Sequence, residues 1–329
     1  MKTESVLLQT LCVPCGCHCR YCLLSWDGQC PGADWGRSAA LARHMADWLR
    51  TERPALRFHF SFGYSMEHPR LPEALDLLRE LDSVQAAFLQ CDGLRIRDED
   101  KTTEFVEMLR EHGIKTLNFT YYGTEDYHDR FAGRKGDFAW MQRLRAAARA
   151  TGLETSVGIP LTRESAPLAA ALLECLEGEN VRFFVPHAEG RGVFLENIRL
   201  RQEDFDALPE TVREHMNRRF YRTEAEWMRE TPPEPTKRML LLSLTPENIA
   251  AFETRPFAES IAEAEALDDA YYAPLPTIKE LLARYGNAQG SAFYSARDLA
   301  AKLQKRWLRE HYLQPYDVTD ERQTGSRRY

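Results

Sequence analysis

Through its first 190 residues the chain alternates two kinds of segment. Short runs rich in β-branched and aromatic residues, bounded by Gly, Pro or Asp, predict strands at Val6–Leu11, Leu56–Phe62, Ala86–Cys91, Thr116–Tyr121, Thr155–Ile159 and Val181–Val185. Between them apolar residues recur at helical spacing: Leu41, Met45 and Leu49; Leu71, Leu75 and Leu78; Phe105, Met108, Leu109 and His112; Leu144, Ala148 and Thr151; Leu168, Leu172 and Cys175. Gly113 and Gly152 stand where left-handed C-caps would stop the third and fourth helices. On this pattern Cys175 belongs to the core. Strand–helix alternation implies parallel strands joined by helical crossovers. Six units are too few for a closed eight-fold barrel. An open partial (βα) barrel and a doubly wound sheet both fit, and both put their chemistry at the C-terminal ends of the strands.

The pattern changes after Gly190-Arg191-Gly192. Residues 202–230 read as one or two charged helices carrying Phe205, Leu208, Val212 and Met216, and Thr231-Pro232-Pro233-Glu234-Pro235 then interrupts the chain. A strand (Arg238–Leu244) and helices (Pro246–Glu253, Thr277–Tyr285, Ser295–His311) follow. The last two helices carry the stripes Ile278, Leu281, Leu282 and Leu299, Leu303, Trp307, suited to docking on the open side of a partial barrel. The acidic stretches near 202–230 and 259–269 read as solvated helix faces. The expected division is a core over 1–195, a helical connection over 196–230, a smaller α-rich C-terminal domain over 231–316 and a disordered tail over 317–329.

Composition narrows the function. The chain has 329 residues, 43% of them hydrophobic and 28% charged, as soluble globular proteins do. A net charge of −7 argues against a nucleic-acid backbone as the main partner, which would need clustered excess Lys and Arg. The longest apolar runs, such as Met239–Leu242, fall far short of the ~18 residues of a membrane span. Met1-Lys2-Thr3-Glu4 does not open as a secretory signal does. A cytoplasmic protein is expected.

Cysteine placement is more informative. Cys12, Cys15, Cys17, Cys19, Cys22 and Cys30 crowd the first 30 residues; Cys91 and Cys175 complete the eight. Such crowding in a large chain of a reducing compartment suggests metal ligation rather than a disulfide framework. Cys12-x-x-Cys15 with Cys19-x-x-Cys22 would make a four-thiolate zinc site, but only three residues separate the pairs, where structural sites usually have a dozen or more. A bacterial ferredoxin run would need Cys, not His, at position 18. Of the several sets that can be drawn, Cys15, Cys19 and Cys22, spaced C-x3-C-x2-C with Tyr21 before the last, fit a known chemistry. Three thiolates on a four-iron cluster leave one iron open to a substrate or cofactor.

This segment resembles the signature of the radical S-adenosylmethionine (radical SAM) superfamily, CxxxCxφC with φ aromatic. The resemblance continues in order along residues 5–195. Ser61-Phe62-Gly63-Tyr64-Ser65-Met66-Glu67-His68-Pro69 stands where the family has Ser-Gly-Gly-Glu-Pro and then His-Pro. Cys91-Asp92-Gly93 replaces Thr-Asn-Gly, and Tyr122-Gly123 through His128-Asp129 replaces Asp-Gly-x-x-x-x-His-Asp. The resemblance implies a partial (βα)6 TIM-like barrel of parallel strands with the smaller α-rich domain appended. It implies one [4Fe-4S] cluster on Cys15, Cys19 and Cys22, with its open iron chelated by SAM. Reductive cleavage of SAM would then give a 5′-deoxyadenosyl radical that abstracts hydrogen from a substrate. It also implies SAM contacts at Gly63 and Tyr64, at Thr120 for the ribose and at Ile159, whose backbone would meet the adenine. An electron donor such as flavodoxin or ferredoxin is the implied partner. The acid that would meet the SAM amino group is absent, so carbonyls or hydroxyls at 63–65 are expected to replace it.

The remaining candidates read as structural: Cys12 and Cys17 as strand and loop residues, Cys30 as a free loop thiol, Cys91 as a small buried hydrophobe or a hydrogen-atom donor at the active-site mouth. His18 is not needed as a ligand, and His59 and His187, either of which could face substrate, are read as satisfied structural histidines. Peptide-modifying members of the superfamily usually carry auxiliary-cluster cysteines after the core, and none follows Cys175. Maturation of a peptide substrate and a non-catalytic iron–sulfur or zinc module are the alternatives.

Overall fold

A computed structural model describes residues 1–12, 15–20, 32–63, 67–82, 87–176, 178–188 and 190–311. The elements in chain order are β1 (Lys2–Cys12), α1 (Trp35–Glu52), β2 (Arg57–Gly63), α2 (Leu71–Glu80), β3 (Phe88–Gln90), α3 (Glu99–Glu111), β4 (Thr116–Thr120), α4 (Glu125–Ala132), α5 (Asp137–Ala150), β5 (Glu154–Pro160), α6 (Ala169–Cys175), β6 (Asn180–Phe184), α7 (Gln202–Asp206), α8 (Glu210–Arg213), β7 (Tyr221–Thr223), α9 (Glu224–Arg229), β8 (Lys237–Leu244), α10 (Ile249–Thr254), α11 (Phe257–Tyr272), α12 (Ile278–Tyr285), β9 (Phe293–Ser295) and α13 (Ala296–His311).

All six expected strands form, in two parallel sheets ordered β2-β1-β8 and β3-β4-β5-β6. The sequential order β3 to β6 is that of a barrel wound in one direction, without the reversal of a doubly wound sheet. Both sheets feed one apolar core, which takes Val6 and Leu8 from β1, Phe60 from β2, Leu117 and Phe119 from β4, and Val157 and Ile159 from β5. The helical stripes behave as read: Leu41, Met45, Leu49, Leu71, Leu75, Leu78, Leu109 and Leu144 are all buried. Gly113 and Gly152 adopt positive φ at the ends of α3 and α5.

The strand expected near residue 240 joins the first sheet. β8 pairs with β1 in parallel from Lys2↔Lys237 to Thr10↔Leu244, and its last five residues are buried, as a continuous apolar run in a covered parallel sheet should be. Helices α10 and α11 add Ile249, Phe257, Ile261 and Ala264 to the same core. A second apolar cluster joins Trp227, Tyr271, Ile278, Leu281, Leu299, Leu303 and Trp307 with Ala188, just past β6. Both stripes expected on the last two helices thus lie buried, and Thr277 caps α12 through a reciprocal box with Glu280.

Two expectations are corrected. Residues 202–230 are not one or two helices but the short α7, α8 and α9 with strand β7 between them, which pairs antiparallel with β9. Pro209 and the β-like run Tyr221-Arg222-Thr223 break the helical phase there. Cys175 is exposed, not core. A 3-10 turn at Ala166–Leu168 precedes α6 and resets its phase, so that Ala169, Leu172 and Leu176 face inward. The expected tail over 317–329 lies outside the described residues.

Candidate functional site

The cysteine loop leaves β1 and runs along the C-terminal end of α4. The last carbonyls of a helix have no partner within it. Here the loop supplies the donors: His18 N–H bonds Ala132 O at 2.7 Å and Arg20 N–H bonds Phe131 O at 3.2 Å. Gly133 closes α4 in the left-handed conformation (φ 65°), directly against the His18 backbone. On another side, Gly16 N–H donates to Gly93 O at 2.8 Å. Gly93 has φ 74°, and a Cβ there would lie 2.2 Å from Cys15 Sγ. The turn after β3 is therefore a cradle shaped for the Cys15 sulfur, and only glycine fits it.

Cys15 is half-buried, while Cys17 and Cys19 are buried. A hydrogen bond involving Cys17 outweighs burial and brings the Cys15 thiol down to about 7, whereas contact with Cys15 and Cys19, added to burial, raises Cys17. Cys17 is more than loop filler, because its Sγ donates to Asp137 Oδ2 at 3.4 Å. Cys19 Sγ accepts the Tyr122 hydroxyl at 3.2 Å.

Asp137, at the start of α5, gathers this network. His128 Nε2 approaches its Oδ2 at 3.1 Å, and the Arg134 guanidinium bonds its Oδ1. His128 Nδ1 receives the Tyr122 backbone N–H at 3.2 Å. That nitrogen must accept, so Nε2 carries the proton and donates to Asp137. Burial alone would push the Asp137 carboxyl up, but hydrogen bonds from His128 and Arg134, with the guanidinium charge, hold it below the usual carboxylate range. The neighbouring Asp129 accepts from Gly136 N–H and Phe138 N–H and so caps α5, whose own N-cap glycine has no side chain to do it. The His-Asp pair at 128–129 therefore ties α4 to α5.

A second polar cluster sits at the ends of β3 and β4. Asp92 Oδ1 accepts Thr120 N–H at 2.9 Å and its Oδ2 accepts Gln90 Nε2 at 2.7 Å; the same Gln90 nitrogen reaches Thr120 Oγ1 at 3.2 Å. Part of the residue still meets solvent, but burial of the carboxyl pushes it up to about 6 against these neutral donors.

The other expected site residues fall as follows. Gly63 ends β2 in register with Cys12, beside the start of the cysteine loop. Thr120 closes β4, and Ile159 is buried near the end of β5. Strand ends thus bring Cys15, Cys19, Gly63, Thr120 and Ile159 to the C-terminal rim. Cys22 and Tyr64 lie outside the described residues, as do Tyr21, Cys30 and Ser65. Glu67 is not available to an ammonium group: its oxygens accept from Arg95 N–H and, at 2.9 and 2.8 Å, from the Arg97 guanidinium. Cys91 is fully buried, its thiol raised by burial, which matches the small-hydrophobe reading. His18 is exposed. His59 departs from the expectation of a satisfied histidine, since its buried Nδ1 has no hydrogen-bond partner among the described residues.

Sequence reasoning did not single out Tyr122, Asp137 or Arg134 as neighbours of the cysteines, nor Asp92 as a buried carboxylate. Their signals were partial. Tyr122 and Asp92 stand at quoted motif positions, where tyrosine and aspartate replace the residues expected. Asp137 follows the turn Gly133-Arg134-Lys135-Gly136, which carries no chemical signature of its own. Among the described residues no three His, Cys, Asp or Glu side chains converge as a metal-binding group, Cys22 being outside them. No helix of the described residues is long and apolar enough to cross a membrane.

Comparison with known proteins adds a match to a family model. Residues 13–166 match the family model of the radical SAM superfamily. No curated protein matches the chain in sequence. Among solved structures, native anSMEcpe with bound AdoMet is similar at 17% identity and TM-score 0.41, over 61% of this chain and 57% of that one. Coproporphyrinogen III oxidase (HemN) from Escherichia coli, a radical SAM enzyme, is 12% identical with TM-score 0.43, over 92% of this chain and 89% of that one. Methylornithine synthase (PylB) is 14% identical with TM-score 0.36, over 56% and 54%. The chain therefore spans little more than half the length of anSMEcpe and of methylornithine synthase, and superpositions this loose say nothing about its substrate. The matched segment, residues 13–166, holds the cysteine loop and the βα units around it, and through it the chain is similar to the radical SAM superfamily.

Proposed function

We propose that this chain is a radical SAM enzyme in which Cys15, Cys19 and Cys22 hold one [4Fe-4S] cluster that binds SAM at its remaining iron, for hydrogen abstraction from a substrate still to be identified. The observation that carries the reading is the Gly93 cradle. A backbone without a Cβ lies against the Cys15 sulfur, on a loop whose amides are engaged by α4, and this supports the reading of Cys15 and Cys19 as ligands. Thiol donors of this kind fit an iron–sulfur cluster. When bound, the cluster would supply the electron that cleaves SAM to methionine and a 5′-deoxyadenosyl radical.

The chain's own residues bind and orient. Gly63 and Tyr64 are proposed to accept the SAM ammonium hydrogens, Thr120 to bond the ribose and the Ile159 backbone to meet the adenine. The pairing of Glu67 with Arg97 supports carbonyls and hydroxyls at 63–65 as the ammonium acceptors. The C-terminal α-rich region over 231–316 is proposed to hold substrate or a partner against the rim. Flavodoxin or ferredoxin would deliver the electron in a reducing, cytoplasmic setting.

Anaerobic reconstitution tests this. About four irons per chain and 5′-deoxyadenosine on adding SAM and dithionite are expected. Each of Cys15→Ala, Cys19→Ala and Cys22→Ala should lose both, while Cys12→Ala and Cys17→Ala keep them. Iron without SAM cleavage would leave a non-catalytic module. About eight irons, half of them surviving the triple variant, would restore an auxiliary cluster, and a modified precursor peptide would identify a peptide maturase.

A further inference from the structure

We propose that Tyr122 is a positioning residue whose hydroxyl holds the Cys19 sulfur and sets the reduction potential of the cluster. The inference rests on the ligand set proposed above and concerns what surrounds one of those ligands. The Tyr122 hydroxyl and Cys19 Sγ are 3.2 Å apart, both residues are buried, and 103 positions separate them in the chain. The bond is therefore made by the fold and not by a local turn.

Three contacts fix the direction of this donor. The Tyr122 ring stacks on His128 with centroids 5.2 Å apart and planes at 26°, and it lies 4.5 Å from the Phe131 ring. Its backbone N–H is bound to His128 Nδ1. His128 in turn is held through Nε2 by Asp137, itself paired with Arg134. A ring packed against two others and tied at its backbone has little freedom to swing its hydroxyl away.

The chemistry follows from charge. A cysteine that ligates iron has lost its proton, so its sulfur becomes an acceptor only. A neutral O–H aimed at that sulfur stabilises the more negative, reduced cluster more than the oxidised one. Hydrogen bonds to cluster sulfurs are among the factors that set these potentials. Cys15 differs: its sulfur lies against the Gly93 backbone, and its hydrogen bonds involve the neighbouring Cys17 in the same loop. The two ligands would thus be held by different means, Cys15 by the Gly93 cradle and its loop neighbour Cys17, Cys19 by a donor from a distant strand end.

The test is an EPR-monitored redox titration of the reconstituted full chain, with iron content measured in parallel. Tyr122→Phe keeps the ring and its stacking. It should load iron fully and show a reduced-to-oxidised ratio about tenfold lower at a given potential, which for a one-electron couple is a midpoint about 59 mV more negative. A purely structural role would alter iron loading or stability and leave the midpoint of the loaded fraction alone. An unchanged midpoint at full loading overturns the proposal. If Tyr122→Phe does not load, Tyr122 replaced by 3-fluorotyrosine decides. Its shape is nearly the same and its hydroxyl a stronger donor, so the midpoint must rise; no rise overturns the proposal. Failure of the unsubstituted chain to form a cluster that cleaves SAM would instead refute the ligand reading, and the two failures are told apart by that control.

Discussion

Two carboxylates beside the cysteine loop are tuned in opposite directions. Asp137 and Asp92 are both withdrawn from water, yet Asp137 is held below the usual range and Asp92 is pushed up to about 6. The difference lies in the donors. Asp137 meets a guanidinium and an imidazole N–H, and it stands at the first position of α5, where the positive end of the helix dipole adds to the effect. Asp92 meets neutral donors, the Thr120 amide N–H and hydroxyl and the Gln90 carboxamide. Neutral donors satisfy hydrogen bonds without neutralising charge, so desolvation wins at Asp92 and loses at Asp137. The α4–α5 side of the loop is therefore a fixed-charge clamp. The β3–β4 side is a polar pocket that changes charge within reach of neutral pH.

The largest expected effect breaks the clamp. Asp137→Ala leaves the Arg134 guanidinium without its carboxylate and the His128 N–H without an acceptor. Removing one partner of a buried pair should destabilise the fold by about 3–5 kcal/mol, read as a lower urea midpoint. Asp137→Asn should lose less, because its carbonyl oxygen still accepts one of the bonds. Equal losses in the two variants would mean that packing rather than charge holds this side together.

Gly93→Ala strikes the cradle. A methyl 2.2 Å from Cys15 Sγ, on a backbone with φ 74°, forces the loop or the turn to move. Iron content after reconstitution should fall well below that of the native chain, with the overall fold retained by circular dichroism. Full loading would show that the cradle is not matched to the sulfur's working position.

The contrast between the two sides also shows what periodicity could and could not reveal. Apolar stripes such as Leu41-Met45-Leu49 and Leu299-Leu303-Trp307 are statements about burial, and burial is what forms. The cysteine spacing and the strand-end positions of Gly63 and Thr120 were readable because a parallel βα architecture sends its strand ends to one rim. β8 was readable as a strand but not as the neighbour of β1, since pairing depends on contacts more than 230 residues apart. The clamp was illegible for the same reason. Asp137 acquires its role only when α5 folds against α4, and nothing in Lys135-Gly136-Asp137 marks a carboxylate bound for burial. Cys175 was misread because one 3-10 turn rotates a helix enough to turn a stripe outward.

The pH dependence separates the two acids. Asp92, raised from an unfolded value near 4, binds its proton more tightly when folded. Its ionisation therefore destabilises the fold: stability falls as pH rises from about 4 through about 6, then levels. Asp137 runs the other way. Its contribution is complete above the unfolded value near 4 and is lost as pH falls through its depressed folded value. Urea midpoints of the native chain between pH 4 and 7 should include a downward step that Asp92→Asn removes and Asp137→Asn does not. Persistence of the step in Asp92→Asn would assign it to another group.

The smallest effect is expected at Thr120, where the two uses of one hydroxyl can be separated. Thr120→Val keeps the shape of the side chain and the backbone N–H that binds Asp92 Oδ1, and deletes only Oγ1. The Gln90 bond at 3.2 Å goes with it. The loss of this bond, and of the hydroxyl's bond to Asp92, should reduce stability by about 0.5–1.5 kcal/mol each. Because the Thr120 hydroxyl is among the groups that hold Asp92 down, its loss should also push that carboxyl further up and move the step in stability to higher pH. If the same hydroxyl bonds the SAM ribose, equilibrium binding under anaerobic conditions should weaken by roughly three- to tenfold, the equivalent of one such bond. A shifted pH step with unchanged SAM affinity would confine Thr120 to the Asp92 pocket and remove it from the cofactor site.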